Sequence, residues 1–121
     1  MPCEPLSLPF PPADLSGHNT GNRYVKARVI KKWRTDAAWA AKEAGWVAPE
    51  TGDIHLRVTF VRPDRRSDRA NLPNRMKPIF DGIADHLGVN DARFVPVYPD
   101  LDAPVAKPGC VEVEMMTQEA A

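Results

Sequence analysis

Between positions 68 and 91 this sequence gathers the side chains best equipped for chemistry: Asp68, Lys77, Asp81 and Asp91. Arg62, Arg65, Arg66 and Arg69 crowd the approach to them. Carboxylate oxygens are the ligands that hard divalent cations prefer, and such cations often bridge protein carboxylates to a substrate phosphate. A lysine among the aspartates, with arginines beside them, suits the phosphate side of that arrangement. Together they can hold a divalent metal against a phosphate. Each aspartate also has an ordinary structural role open to it. Asp68 can cap a helix, Asp81 can pair with Lys77 four residues earlier, and Asp91 can shape a turn.

The elements that must position these residues can be read from the apolar pattern. Met76, Ile79, Phe80, Ile83 and Leu87 recur at helical spacing, while Lys77 and Asp81 share another face. This predicts a helix over about 73–87. Pro73 suits a first turn, but Pro78 is awkward in a helix interior, so the regular helix either begins near Lys77 or kinks there. Upstream, Ile54, Leu56, Val58 and Phe60 alternate with His55, Arg57 and Thr59, the strongest strand signal in the chain. His55 falls on the polar face of that strand as a surface residue. A first long helix is predicted over 23–44, where Ile30, Trp33, Ala37, Ala40, Ala41 and Ala44 form a stripe and Gly45 a stop.

Leu6, Leu8 and Phe10 suggest an opening strand broken by Pro9. Phe94, Val95 and Val97 suggest another, interrupted by Pro96. Val111, Val113 and Met115 alternate with Glu112 and Glu114 as the last. The order is strand, helix, strand, helix, strand, strand. Layer logic turns this into an α/β fold, a single mixed β-sheet with two main helices packed on it. Residues 1–121 read as one domain, with 1–5 and 117–121 frayed.

With 121 residues, 43% hydrophobic and 26% charged, the composition is that of a soluble globular chain. No apolar run approaches a membrane span. No signal segment opens the sequence, so a cytoplasmic location is the default expectation. Cys3 and Cys110 are too few and too far apart for a zinc site, and read as reduced thiols. The formal net charge is zero, but it is unevenly spread. Residues 20–77 carry 14 Lys and Arg against 6 Asp and Glu, whereas residues 78–121 carry 2 against 8. A basic surface can therefore coexist with an acidic one. Lys26, Arg28, Lys31, Lys32 and Arg34 crowd the first helix, either to track phosphates or as a solvated face. Trp33, Trp39 and Trp46 read as core or interface residues, and Phe94 as a core residue in preference to a wedge on a bound substrate.

The segment Arg65-Arg66-Ser67-Asp68-Arg69-Ala70-Asn71, then Lys77, then Asp81-Gly82-Ile83, then Asn90-Asp91 resembles the RusA family of Holliday junction resolvases, especially its phage-type members. The likeness extends to Leu8-Pro9-Phe10-Pro11-Pro12 and to the basic, alanine-rich run over 23–45. It departs from the family pattern at two places: Ala70 stands where the second motif aspartate belongs, and Asn90 replaces the first member of the acidic pair. Alanine cannot ligate a metal.

The resemblance implies a RusA-like, dimeric fold. It also implies a magnesium-dependent endodeoxyribonuclease that resolves four-way DNA junctions in recombination and repair. It casts Asp68, Lys77 and Asp91 as catalytic, with Asp68, Asp91 and Asp81 as magnesium ligands. Asn71 becomes a local hydrogen-bonding residue of the loop. The cluster of Arg62, Arg65, Arg66 and Arg69 directly after a strand reads by itself as a phosphate clamp or as neutralisation of nearby aspartates, and with Lys32 these are the expected DNA-binding residues. The partners that the resemblance implies are branched DNA and a second copy of the chain. No membrane and no organic cofactor are expected. With Ala70 in place of an aspartate, the alternative is a RusA-like protein that grips branched DNA and cuts it weakly.

Overall fold

Alternation writes the sheet. In β2 (Ile54–Val61), Ile54, Leu56, Val58 and Phe60 are buried, while Arg57 between them is exposed. In β4 (Cys110–Met115), Val111 and Val113 are buried and Glu112 and Glu114 exposed. In β1 (Leu6–Pro9), Leu6 and Leu8 point inward. A period of two puts one face of each strand against the core and the other toward water. The computed structural model describes residues 4–12, 15, 23–64, 69–99 and 105–116, with the side chains of residues 23 and 69–71 excepted.

The four strands form one mixed sheet in the order β1-β4-β2-β3, where β3 is Phe94–Val97. β4 is antiparallel to both β1 and β2, with Val113 opposite Leu6 on one side and Val58 on the other. β3 runs parallel to β2, with Phe94 opposite Ile54. Parallel neighbours need a long crossover, and here a helix supplies it. The two edge strands, β1 and β3, are four residues long, and each contains a proline, Pro9 and Pro96. The α/β class and the single mixed sheet with two helices agree with the sequence pattern. Among the described residues no helix is long and apolar enough to cross a membrane.

Helix α1 spans Arg23–Glu43, and Gly45 ends it with φ near +74°. Ala37 and Ala41 are its fully buried positions, and Trp33 packs half-buried at the core margin. Trp46 is buried, and its indole Nε1 donates to the Glu4 carbonyl at 2.6 Å. Of the core and interface roles expected for Trp39, the structure excludes a place in the core. Trp39 is 56% exposed on α1, with the Lys42 ammonium 4.8 Å from its ring centre.

The second helix takes the first of its two expected forms, with the regular α-helix beginning at Lys77. The chain runs as a 3-10 helix over Arg69–Met76, and α2 itself is Lys77–Leu87. An α-helix begun at Pro73 would need the residue 78 amide to donate to the Asn74 carbonyl, and Pro78 has no such donor. Placed in the first turn of α2, Pro78 loses nothing. The apolar stripe lands as its spacing predicts: Met76, Ile79 and Ile83 are fully buried, and Phe80 and Leu87 lie at the margin. Gly88 closes α2 in the left-handed region at φ 69°, its amide donating to the Ala84 carbonyl. Phe94 is buried and meets Phe80 edge to face at 6.2 Å, a core role.

Candidate functional site

The helices α1 and α2 meet at Gly82. A Cβ there would lie 2.1 Å from the Arg34 carbonyl oxygen and 2.9 Å from the Ala37 Cβ. No side chain fits that space, so Gly82 allows the backbone of α1 to lie directly on α2. The Asp81-Gly82 pair thus has a geometric reason. Gly82 fixes the approach of α1, and the residue before it carries a carboxylate on the adjoining face.

On that face the charged side chains converge. Lys77 Nζ donates to Asp81 Oδ1 at 2.9 Å and also to Asp91 Oδ2. Asp81 reaches the lysine from one helical turn further along α2. Asp91 reaches it from the short 3-10 turn Asp91–Arg93. That turn is held by Asn90, whose side-chain oxygen accepts from the Ala92 amide at 2.8 Å, a helix-capping contact. Asn90, which breaks the resembled acidic pair, therefore still orients its neighbour Asp91. The turn is also anchored by Arg93, which donates to the carbonyls of Gly52 at 2.8 Å and Pro49 at 2.7 Å.

Hydrogen bonds from Lys77 hold the Asp91 carboxyl below its ordinary pKa. The same contact with Asp91, then that with Asp81, raises the lysine above its own. Lys77 remains 66% exposed, so its ammonium bridges the carboxylates at the surface and does not seal them in.

One further ion pair joins this group. Arg34 of α1 grips Asp85 of α2 with both arms of its guanidinium: Nε to Oδ2 at 2.6 Å and Nη2 to Oδ1 at 2.8 Å. The hydrogen bond from Arg34 lowers the Asp85 pKa, and that bond raises Arg34 in turn, with smaller help from Asp81 and Asp91. Arg34, Asp81, Ala84, Asp85, Asn90 and Asp91 line a surface hollow of about 270 Å³. Lys77, Asp81 and Asp85 follow one another at four-residue steps along α2, so they share its face. Asp85 is the member of that series the motif does not mark. Arg34 stood in the basic run of the first helix, with nothing in the sequence to tie it to position 85.

The structure thus brings together Lys77, Asp81 and Asp91. Asp68, Arg65 and Arg66 lie outside the described residues, as do the side chains of Arg69, Ala70 and Asn71. Lys32 is exposed and pairs with Asp36 at 2.8 Å on α1. Two residues from Arg34 is about 200° around a helix, so Lys32 is turned away from the side of α1 that carries the Arg34–Asp85 pair. Arg62 is half-buried just beyond β2, where its carbonyl accepts from the Ala106 amide at 2.8 Å.

Among the described residues no three His, Cys, Asp or Glu side chains are grouped closely enough to hold a metal. Asp81 and Asp91 supply two carboxylates within reach of one ammonium. That donor chemistry fits magnesium, which commonly takes one or two protein carboxylates and completes its shell with water and phosphate oxygens.

No family model matches the chain. It is similar to a protein of Xylella fastidiosa (strain Temecula1) described as uncharacterized, with 36% identity over 121 aligned positions. The alignment covers 95% of this chain and 78% of the relative. At that identity and coverage, the chain belongs to the same family as the Xylella protein.

Proposed function

We propose that this chain is a RusA-like, magnesium-dependent, structure-selective endodeoxyribonuclease that resolves four-way DNA junctions, acting as a homodimer in the cytoplasm during recombination and repair. The observation that carries the reading is the convergence of Asp81 and Asp91 on Lys77. These are motif positions separated by up to 14 residues in sequence and gathered at one surface point. Asp68 joins them on the strength of the motif resemblance, and Arg62, Arg65, Arg66 and Arg69 on their clustering beside it in sequence.

In this reading Asp81, Asp91 and Asp68 hold the cation. Magnesium, when bound, supplies an activated water and neutralises charge on the phosphodiester. Lys77 turns its ammonium from the carboxylates to the phosphate and steadies the negative charge that develops there. Asn90 keeps Asp91 aimed at the site. A two-fold dimer would present two such sites to a substrate with matching symmetry.

A second reading has its own support. Ala70 replaces a motif aspartate, and the ammonium of Lys77 already bridges the two described carboxylates. Both features favour a protein that grips branched DNA and cuts it weakly.

One assay separates the readings: a synthetic four-way junction incubated with the protein, with and without magnesium. Paired, symmetric cuts that need magnesium support the resolvase. A junction bound tightly and left whole supports the binding protein. A junction neither bound nor cut sinks both. Light scattering that finds a monomer at micromolar concentration, with junction as well as without, removes the dimer.

A further inference from the structure

We infer that Arg34 is a second phosphate-binding group of this site, seated on Asp85 in the free protein and passed to a DNA phosphate in the complex. The inference rests on reading the hollow as a phosphodiester site.

Three observations support it. First, Arg34 lines the same hollow as Asp81 and Asp91, although it comes from α1 and they do not. Second, its grip on Asp85 is two-armed, at 2.6 and 2.8 Å. A guanidinium fork that fits two carboxylate oxygens also fits two oxygens of a phosphodiester, so Asp85 presents the geometry of the ligand. Third, the pair is not sealed in, because Arg34 and Asp85 are 50% and 48% exposed. An ion pair in that much solvent is weakly held and open to exchange.

The backbone of Arg34 is fixed where its side chain is not. Its carbonyl lies against Gly82, next to Asp81, so its starting point relative to the carboxylates is set by main-chain contact. The guanidinium can then turn from Asp85 toward a phosphate held in the hollow it shares with Asp81 and Asp91. Asp85, Asp81 and Asp91 surround it with negative charge and hold it back from anions until a strand enters.

The competing account makes Arg34–Asp85 only a staple between α1 and α2. Binding of a synthetic four-way junction as a function of salt, without divalent metal so that no cutting occurs, separates the two. The proteins are wild type, Arg34→Gln, Arg34→Lys and Asp85→Asn, each also followed through thermal unfolding without DNA. Arg34→Gln is expected to weaken binding roughly tenfold and to reduce the salt slope by about one unit. Arg34→Lys keeps the slope, because the charge remains, and Asp85→Asn tightens binding.

Wild-type affinity and slope in Arg34→Gln would overturn the inference and leave the junction-binding reading standing. So would weaker binding in both Arg34→Gln and Asp85→Asn in step with lost thermal stability. If Arg34→Gln does not fold, Asp85→Asn decides: tighter binding upholds the inference, and unchanged or weaker binding overturns it. Wild type that does not bind the junction overturns the functional reading and this inference with it.

Discussion

The two sides of α2 hold their neighbours by different means. Toward the sheet, Met76, Ile79 and Ile83 are fully buried, and contact with other apolar atoms fixes them. Toward the hollow, Lys77, Asp81 and Asp85 stay partly in water and are held, among the described residues, by ion pairs with one another, with Arg34 and with Asp91. The first side is a source of stability that cannot be rearranged. The second contributes little to stability and can exchange partners. An eleven-residue helix thus separates a packed side from a charged, solvated one by rotation about its own axis.

Ile83→Ala tests the buried side most severely. It removes a fully buried side chain from the layer between helix and sheet, and a loss of about 2–5 kcal/mol is expected in urea unfolding. A loss under 1 kcal/mol would mean that this face is not the anchor.

Gly82→Ala comes next, at the border between the two sides. The new methyl meets the Arg34 carbonyl, which is backbone and cannot swing aside. Overpacking of this kind costs roughly 1–3 kcal/mol. It also displaces Arg34, so the same variant is expected to bind junction DNA less well at temperatures where it remains folded.

Lys77→Met reverses the balance. Lys77 is 66% exposed, so its removal is expected to change stability by no more than about 1 kcal/mol once solvent screening is counted. Junction cleavage in the presence of magnesium is expected to fall about 10²–10³-fold. Loss of stability comparable to that of Ile83→Ala would erase the distinction between the two sides.

The smallest effect is that of pH. The carboxyls of Asp91 and Asp85 are held below their ordinary range by Lys77 and Arg34. A group depressed on folding contributes stability that is complete above its unfolded pKa, about 3.9 for aspartate, and is lost as pH falls through the folded value. The charged side should therefore be unaffected from neutrality to about pH 5 and weaken only in stronger acid. Carboxyl NMR titrations should place both midpoints below about 3.9. Lys77→Met should return Asp91 toward that value and leave Asp85 depressed.

Periodicity revealed most of the architecture. The alternation in 54–60 and 111–115 and the helical stripes of α1 and α2 each carry a signal within a few residues, and each is present in the structure. The start of α2 was ambiguous, because Pro73 and Pro78 both suit a first turn and only the missing donor of Pro78 decides between them. The exposure of Trp39 has no local signature: an indole on an alanine-rich helix looks like core until the partners of that helix are known. The Arg34–Asp85 pair joins residues 51 apart. Nothing in the spacing marked Asp85, although it continues the Lys77–Asp81 step along α2. The pair depends on which turn of α1 lies over Gly82, a tertiary fact that no spacing encodes.

The margins of the sheet carry a consequence of their own. An open β-sheet exposes unpaired amides and carbonyls on which another chain can polymerise. Here each outer strand is four residues long and contains a position with no amide hydrogen to offer, Pro9 at one margin and Pro96 at the other. A would-be added strand finds a short template with a missing rung on either side. The fold in this way resists edge-to-edge aggregation without placing charge in either edge strand.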